Sequence, residues 1–243
     1  MNDQRTYSAY FLERTDECPE TLDSHSGDDF YYLPEKRETP CDRNGNKMSL
    51  LFQVNFSQLP EIEGFSDPEI MRIFTVNDYE TMENSGIYTN ADIRVEFYKT
   101  EEFGAVVDFI NSDFGAFGNE EEIMERICHD VEQDGRFVFV QGKKYIGTGA
   151  TMHLCGNDIK VPLGGRDFDG VIVGGLVTAG ELYGKNLNLF ENNPEYSYPL
   201  LRINSSENGI GDIFEAYWFF VKPEEFARRE IKSVMLLIIS DID

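Results

Sequence analysis

Leu50-Leu51-Phe52-Gln53-Val54-Asn55 in the first half of the chain is answered by Leu200-Leu201-Arg202-Ile203-Asn204 in the second. After the first copy come Ile73-Phe74-Thr75-Val76, Asp78-Tyr79 and Ile93-Arg94-Val95-Glu96-Phe97. After the second come Phe219-Phe220-Val221, Glu225-Phe226 and Ile231-Lys232-Ser233-Val234. Short runs rich in β-branched and aromatic residues, alternating with period two or continuously apolar, are the pattern of strands. The expectation is therefore an α+β, predominantly β fold of two pseudo-repeated β-rich halves with a few peripheral helices. The halves are read as about 30–118 and 136–243, within one domain over 1–243.

Working outward, residues 1–49 are polar and turn-rich, with one aromatic island at Phe30-Tyr31-Tyr32-Leu33-Pro34. Residues 1–29 are expected to be irregular. Thr100 reads as the N-cap of a helix over Glu101 to Asp113, because Phe103, Val106, Val107 and Ile110 fall on one helical face behind acidic first-turn residues. Asn119 reads as the cap of a second helix near 120–134, which joins the halves and carries an apolar stripe of Ile123, Met124, Ile127 and Val131 up to Gly135. Arg136 to Gln141 is expected to turn at Gly142-Lys143 into Lys144-Tyr145-Ile146 as a hairpin. Gly170 to Val177 reads as a buried strand, Pro223 as the opening of a short helix to about Glu230, and Val234 to Ile239 as a central strand.

Apolar residues make up 41% of the 243-residue chain and aromatics 13%, which separates it from disordered compositions. The N-terminal Met1-Asn2-Asp3-Gln4-Arg5 lacks a basic-then-apolar leader, and no apolar run approaches the roughly 20 residues of a membrane span; the expectation is a cytoplasmic protein. Cys18, Cys41, Cys128 and Cys155 read as free thiols in such a compartment. The decisive bulk property is a formal net charge of -24. That field has the sign of phosphate backbones and anionic lipid, so nucleic acid and membrane surfaces are disfavoured as partners.

Catalytic signatures are missing. No Gly-x-Ser-x-Gly elbow occurs, and Gly175-Leu176-Val177-Thr178-Ala179-Gly180 continues into Glu181-Leu182 where a phosphate loop needs Lys followed by Ser or Thr. Cys128-His129 and His153-x-Cys155 lack the spacing by which two ligands grip a tetrahedral zinc, so no metal and no cofactor is expected. Asp167-Phe168-Asp169-Gly170 is too short for a calcium loop.

Two features carry functional expectations. With period two, Gln53 and Asn55 share a strand face, as do Arg202 and Asn204, so the halves would present matched polar pairs to a shared cleft, or else two solvated strand faces. Residues 101–134 hold eleven acids against Arg126 alone, a net of -10. On the second expected helix Glu121, Glu125 and Glu132 lie opposite the apolar stripe and form a carboxylate ridge suited to steering a basic protein, or to keeping a helix face solvated.

Leu51 to Pro60, Leu200 to Ser206 with Gly211-Asp212, Trp218 to Phe226 and the earlier Tyr32-Leu33-Pro34 together resemble the YwqG-like family of bacterial proteins from about residue 30 to the end. The resemblance implies a predominantly β fold with internal pseudo-symmetry and no established activity. It also implies an association with toxin-immunity neighbourhoods, and it adds Asp212 to the candidate cleft residues.

Overall fold

Strand-forming sequence dominates the computed structural model, which describes residues 5–15, 22–26, 30–58, 69–76, 84–104, 107–111, 138–149, 170–173, 188–189, 192–204 and 215–240. The strands are β1 (Arg5–Thr15), β2 (Ser24–Ser26), β3 (Phe30–Pro34), β4 (Ser49–Asn55), β5 (Glu69–Thr75), β6 (Gly86–Thr89), β7 (Ile93–Lys99), β8 (Val107–Asn111), β9 (Val138–Gly149), β10 (Gly170–Val173), β11 (Tyr198–Asn204), β12 (Glu215–Val221) and β13 (Ser233–Ser240). Among the described residues the short helix α1 (Pro223–Arg228) and 3-10 turns at Phe56–Gln58 and Thr100–Glu102 fall between them. The ladders between these strands are antiparallel, so the expected predominantly β, α+β class is the observed one.

The chain gathers into two compact units. An inner unit comprises Glu13–Asp78 and Asn90–Gly142; a terminal unit comprises Met1–Leu12, Tyr79–Thr89 and Lys143–Asp243.

In the inner unit β2, β4, β5 and β7 pair in that order, the start of β9 pairs with β2, and β3 and β8 form a separate two-stranded ladder. β5 is central and contributes to both faces: Ile70, Met71, Ile73 and Phe74 are all fully buried. One face packs Leu50, Ile70, Phe74 and Tyr98 with Tyr31 and Leu33 of β3 and with Met48. The Tyr31 and Phe74 rings lie 5.2 Å apart, and the Tyr31 hydroxyl donates to the Met48 carbonyl at 2.8 Å. A buried tyrosine needs such a partner for its hydroxyl.

In the terminal unit the order is β6, β13, β12, β11, β10 and the first residues of β1. β13 lies between β6 and β12 and buries Val234, Met235, Leu236 and Leu237, the continuous apolar run of a strand covered on both faces. Each such side chain contributes about 1.5–3 kcal/mol by leaving water. Pro223 opens α1 at a position where its missing N–H is not needed, and Arg229 ends it in the left-handed conformation at φ 57°. Ladder irregularities fall between Leu50 and Phe52 in β4 and between Pro199 and Leu201 in β11, so Leu51 and Leu200 are each the extra residue of a bulge. This correspondence is local to the two ladders.

Three expectations fail. Residues 1–29 hold β1 and β2, because the Thr6-Tyr7-Ser8-Ala9-Tyr10-Phe11-Leu12 stretch has strand composition that the polar average of the segment conceals. The expected helix from Glu101 to Asp113 is a 3-10 turn at Thr100–Glu102 followed by strand β8, which pairs with the aromatic island from Phe30↔Asn111 to Pro34↔Val107. A short apolar run fits either period, and a distant β partner decided it. Thr100 is not the cap either; Lys99 takes that position. The expected hairpin at Gly142-Lys143 is one continuous strand, β9. Lys143 is a poor second residue for a two-residue turn, and strand sequence resumes directly after it.

Candidate functional site

A polar row crosses the inner unit where apolar residues would be the default. His25 of β2 lies opposite Gln53 of β4, Gln53 opposite Arg72 of β5, and Arg72 opposite Glu96 of β7. Directly opposed residues share a sheet face, so four polar side chains stand in line across four strands. Gln53 is 0% and Arg72 1% exposed. The Arg72 Nε donates to Gln53 Oε1 at 2.6 Å, and its Nη1 donates to the Tyr32 carbonyl of β3. The Gln53 Nε2 in turn donates to the Asp23 carbonyl, which fixes the orientation of the amide.

The Arg72 guanidinium packs against two neighbouring rings. Its carbon lies 5.3 Å from the Tyr98 centroid and 4.8 Å from that of Phe103. Burial drives the Arg72 pKa down to about 10 against weaker upward pulls from Tyr98, Tyr31 and Glu96. Among the described residues no carboxylate forms an ion pair with Arg72. Its register partner Glu96 is held at 3.0 Å by Arg94 and accepts from the Tyr98 hydroxyl. Burial, and then Glu96, push the Tyr98 pKa above the ordinary phenol range, and burial does the same for Tyr31. Both therefore act as neutral hydrogen-bonding groups at physiological pH.

Over this buried cation lies the turn Thr100–Glu102 with Phe103. Glu102 takes a two-pronged bond from Arg37, at 2.7 Å from Nε and 2.8 Å from Nη2, and accepts the Lys99 N–H at 2.8 Å. Arg37 also donates to the Phe97 carbonyl at 3.2 Å and lies 4.9 Å over the Tyr98 ring. The Arg37 hydrogen bond holds the Glu102 carboxyl below its usual pKa. This ion pair is the external fastening of the cluster, with side-chain exposures of 39% and 29%.

The residues singled out by sequence are distributed differently. Gln53 belongs to the row, while Asn55, 6% exposed, ends β4 by donating to the Leu22 carbonyl at 2.8 Å and accepting from the Ser57 N–H at 3.0 Å. Gln53 therefore braces Asp23, Asn55 braces Leu22 and the turn at Ser57, and neither is on a solvated face. Arg202 and Asn204 lie on β11, with Arg202 opposite Trp218 and Asn204 opposite Ala216. Asp212, the ridge Glu121, Glu125 and Glu132, and the group Cys128, His129, His153 and Cys155 lie outside the described residues. Among the described residues Cys41 is a free thiol, no group of acids, His and Cys could hold a metal, and no helix is long and apolar enough to cross a membrane.

Sequence reasoning missed Arg72, Tyr98 and Phe103 as one cluster. The available signal was Ile70-Met71-Arg72-Ile73-Phe74, a charge on the period-two face shared by Ile70 and Phe74.

These features define a predominantly antiparallel β protein whose inner unit is built around a buried arginine. The family model of a domain of unknown function, DUF1963, matches residues 30–159 of the 243, and the chain belongs to that family. The matched span contains Arg37, Gln53, Arg72, Glu96, Tyr98, Glu102 and Phe103. No curated protein matches the chain.

Proposed function

We propose that this chain is a non-enzymatic, acidic protein-interaction module of bacterial origin, an immunity-type inhibitor that covers a basic toxin in the cytoplasm. The observation that carries the reading is the net charge of -24, of which residues 101–134 supply -10 from eleven acids and one arginine. A field of this strength steers a basic partner toward the chain and raises its association rate. Glu121, Glu125 and Glu132 are the proposed docking carboxylates. The resemblance to YwqG-like proteins supports this reading, and membership of a family of unknown function is compatible with it. The alternative, a ligand cleft using Gln53, Asn55, Arg202, Asn204 and Asp212, draws no support from Gln53 and Asn55, whose bonds are made inside the inner unit.

The test is affinity capture from the organism's own lysate at low salt, with the natural chain and an E121K/E125K/E132K variant side by side. A basic protein retained stoichiometrically by the first, released by salt and not retained by the second, is the expected result. Retention unaffected by salt or by the triple reversal refutes the electrostatic docking.

A further inference from the structure

The loop from Cys41 to Lys47 is a tight hairpin at the surface of the inner unit. Cys41 and Lys47 form a bridge at its base. The Asp42 N–H donates to the Asn46 carbonyl at 2.9 Å, and the Gly45 N–H donates back to the Asp42 carbonyl at 3.1 Å, with Gly45 at φ 85°. A turn followed by a left-handed glycine closes a short antiparallel connection in this way. The Asp42 carboxylate ties the turn together. Its Oδ1 accepts the N–H groups of Asn44 and Asn46 at 2.8 Å each, and its Oδ2 accepts from the Asn46 side-chain amide at 2.9 Å. The Asn44 carboxamide has no such tie. Asn44 and Gly45 are both exposed, the Asn44 side chain has no hydrogen-bonding partner among the described residues, and the space beside the Gly45 Cα is open.

When glycine follows asparagine, no side chain hinders the main-chain nitrogen from reaching the carboxamide before it. We infer that Asn44-Gly45 is a site of spontaneous modification, converting Asn44 to aspartate and isoaspartate, and that the Asp42 carboxylate sets the rate by holding the turn closed. The Gly45 nitrogen attacks the Asn44 Cγ. That C–N bond forms, the Cγ–Nδ2 bond breaks, and the nitrogen's proton passes through water to the amide, which leaves as ammonia. Water then opens the five-membered imide at either carbonyl, giving aspartate in a normal main chain or isoaspartate in one longer by a carbon. In the closed turn the Gly45 N–H is engaged by the Asp42 carbonyl, so the reaction waits on local opening. Either product disturbs the hairpin. Aspartate sets a second carboxylate beside Asp42, and isoaspartate moves the Asp42 and Asn46 pairing out of register. The hairpin leads directly into buried Met48, whose N–H donates to the Pro40 carbonyl at 2.9 Å and whose carbonyl accepts from the Tyr31 hydroxyl, so the loosening reaches the edge of the core. This inference is independent of the basic-partner reading.

The experiment is peptide mapping by mass spectrometry of the full chain, sampled over time in warm, mildly alkaline buffer, native and in denaturant, beside Asp42→Ala and Asp42→Ser. The map separates Asn44 from Asn208-Gly209, the second such pair in the sequence. The peptide holding Asn44 is expected to show NH2 replaced by OH and to resolve into two species, more slowly in the native chain than in denaturant. Native Asp42→Ala should convert severalfold to about tenfold faster than the native natural chain, the worth of about one hydrogen bond. Asp42→Ser, whose hydroxyl makes the same turn bonds more weakly, should fall between the two. Amide exchange of β4 and β5 distinguishes an opened turn from an unfolded unit, and if Asp42→Ala loosens those strands, Asp42→Ser carries the comparison. Once the natural chain is converted, its Met48 amide should exchange faster. No conversion at Asn44 in either the natural chain or Asp42→Ala over the time that converts the denatured chain would overturn the inference, as would one rate shared by all three.

Discussion

Replacing Gln53 by leucine tests whether the polar row is a single energetic unit. Gln53 is completely buried and joins two groups, accepting from the Arg72 Nε at 2.6 Å and donating to the Asp23 carbonyl. Gln53→Leu would take from a buried cation one of its two hydrogen-bond acceptors, worth about 1.5–3 kcal/mol, and from the Asp23 carbonyl the Gln53 amide bond, worth about 1–3 kcal/mol. The single change should cost the inner unit about 3–5 kcal/mol. Arg72→Met alone strips a donor from Gln53 and from the Tyr32 carbonyl but removes the desolvated charge, so its cost is smaller, about 1–3 kcal/mol. In the double variant neither the orphaned cation nor the orphaned amide oxygen exists, and its loss should fall short of the sum by about 1.5–3 kcal/mol. With two compact units in the chain, one whole-chain transition does not isolate the effect. Amide hydrogen exchange of β4 and β5, read in all four proteins, does. Additivity within about 0.5 kcal/mol would mean that Gln53 and Arg72 are independent and that the row is a coincidence of register.

Asn55→Ala removes the Leu22 bond and the cap on Ser57 and should cost about 1–2 kcal/mol, seen as faster exchange at residues 22–24 and 57. The folded-state pKa of Glu102 is depressed by Arg37, so its contribution is complete above the ordinary carboxylate value and is lost as pH falls below it through the depressed value. An acid titration of inner-unit stability should therefore flatten in Arg37→Gln; an unchanged profile would mean that the pair contributes nothing. Arg229 holds φ 57° while stacking 4.6 Å over Phe226, so Arg229→Ala keeps the backbone strain and loses the stack, whereas Arg229→Gly relieves the strain. Amide hydrogen exchange of α1 should find the glycine variant more stable than the alanine variant by about 1 kcal/mol.

What the sequence made legible depended on how far away each strand's partner lies. β4, β5 and β7 are successive antiparallel neighbours, as are β11, β12 and β13, and in each case the apolar run, its length and its flanking turn residues sufficed. β8 is different, because Val107 to Asn111 pairs with Phe30 to Pro34 across more than seventy intervening residues. The aromatic island and the supposed helix were complementary halves of one ladder, and neither local pattern contained the other. The candidate site was hidden for a related reason. Gln53 is polar on its own strand and Arg72 is anomalous on its own, but only the registers of β4 with β5 and of β5 with β7 place His25, Gln53, Arg72 and Glu96 in one row. A polar residue on a strand is read by default as facing water. Here β3, Tyr98 and Phe103 cover that face, so the same residues become buried hydrogen-bonding groups whose cost calls for a reason beyond packing. The charge of Arg72 is therefore the feature on which the inner unit's chemistry turns, since the groups that close around it, Gln53, the Tyr32 carbonyl, Tyr98 and Phe103, are all neutral.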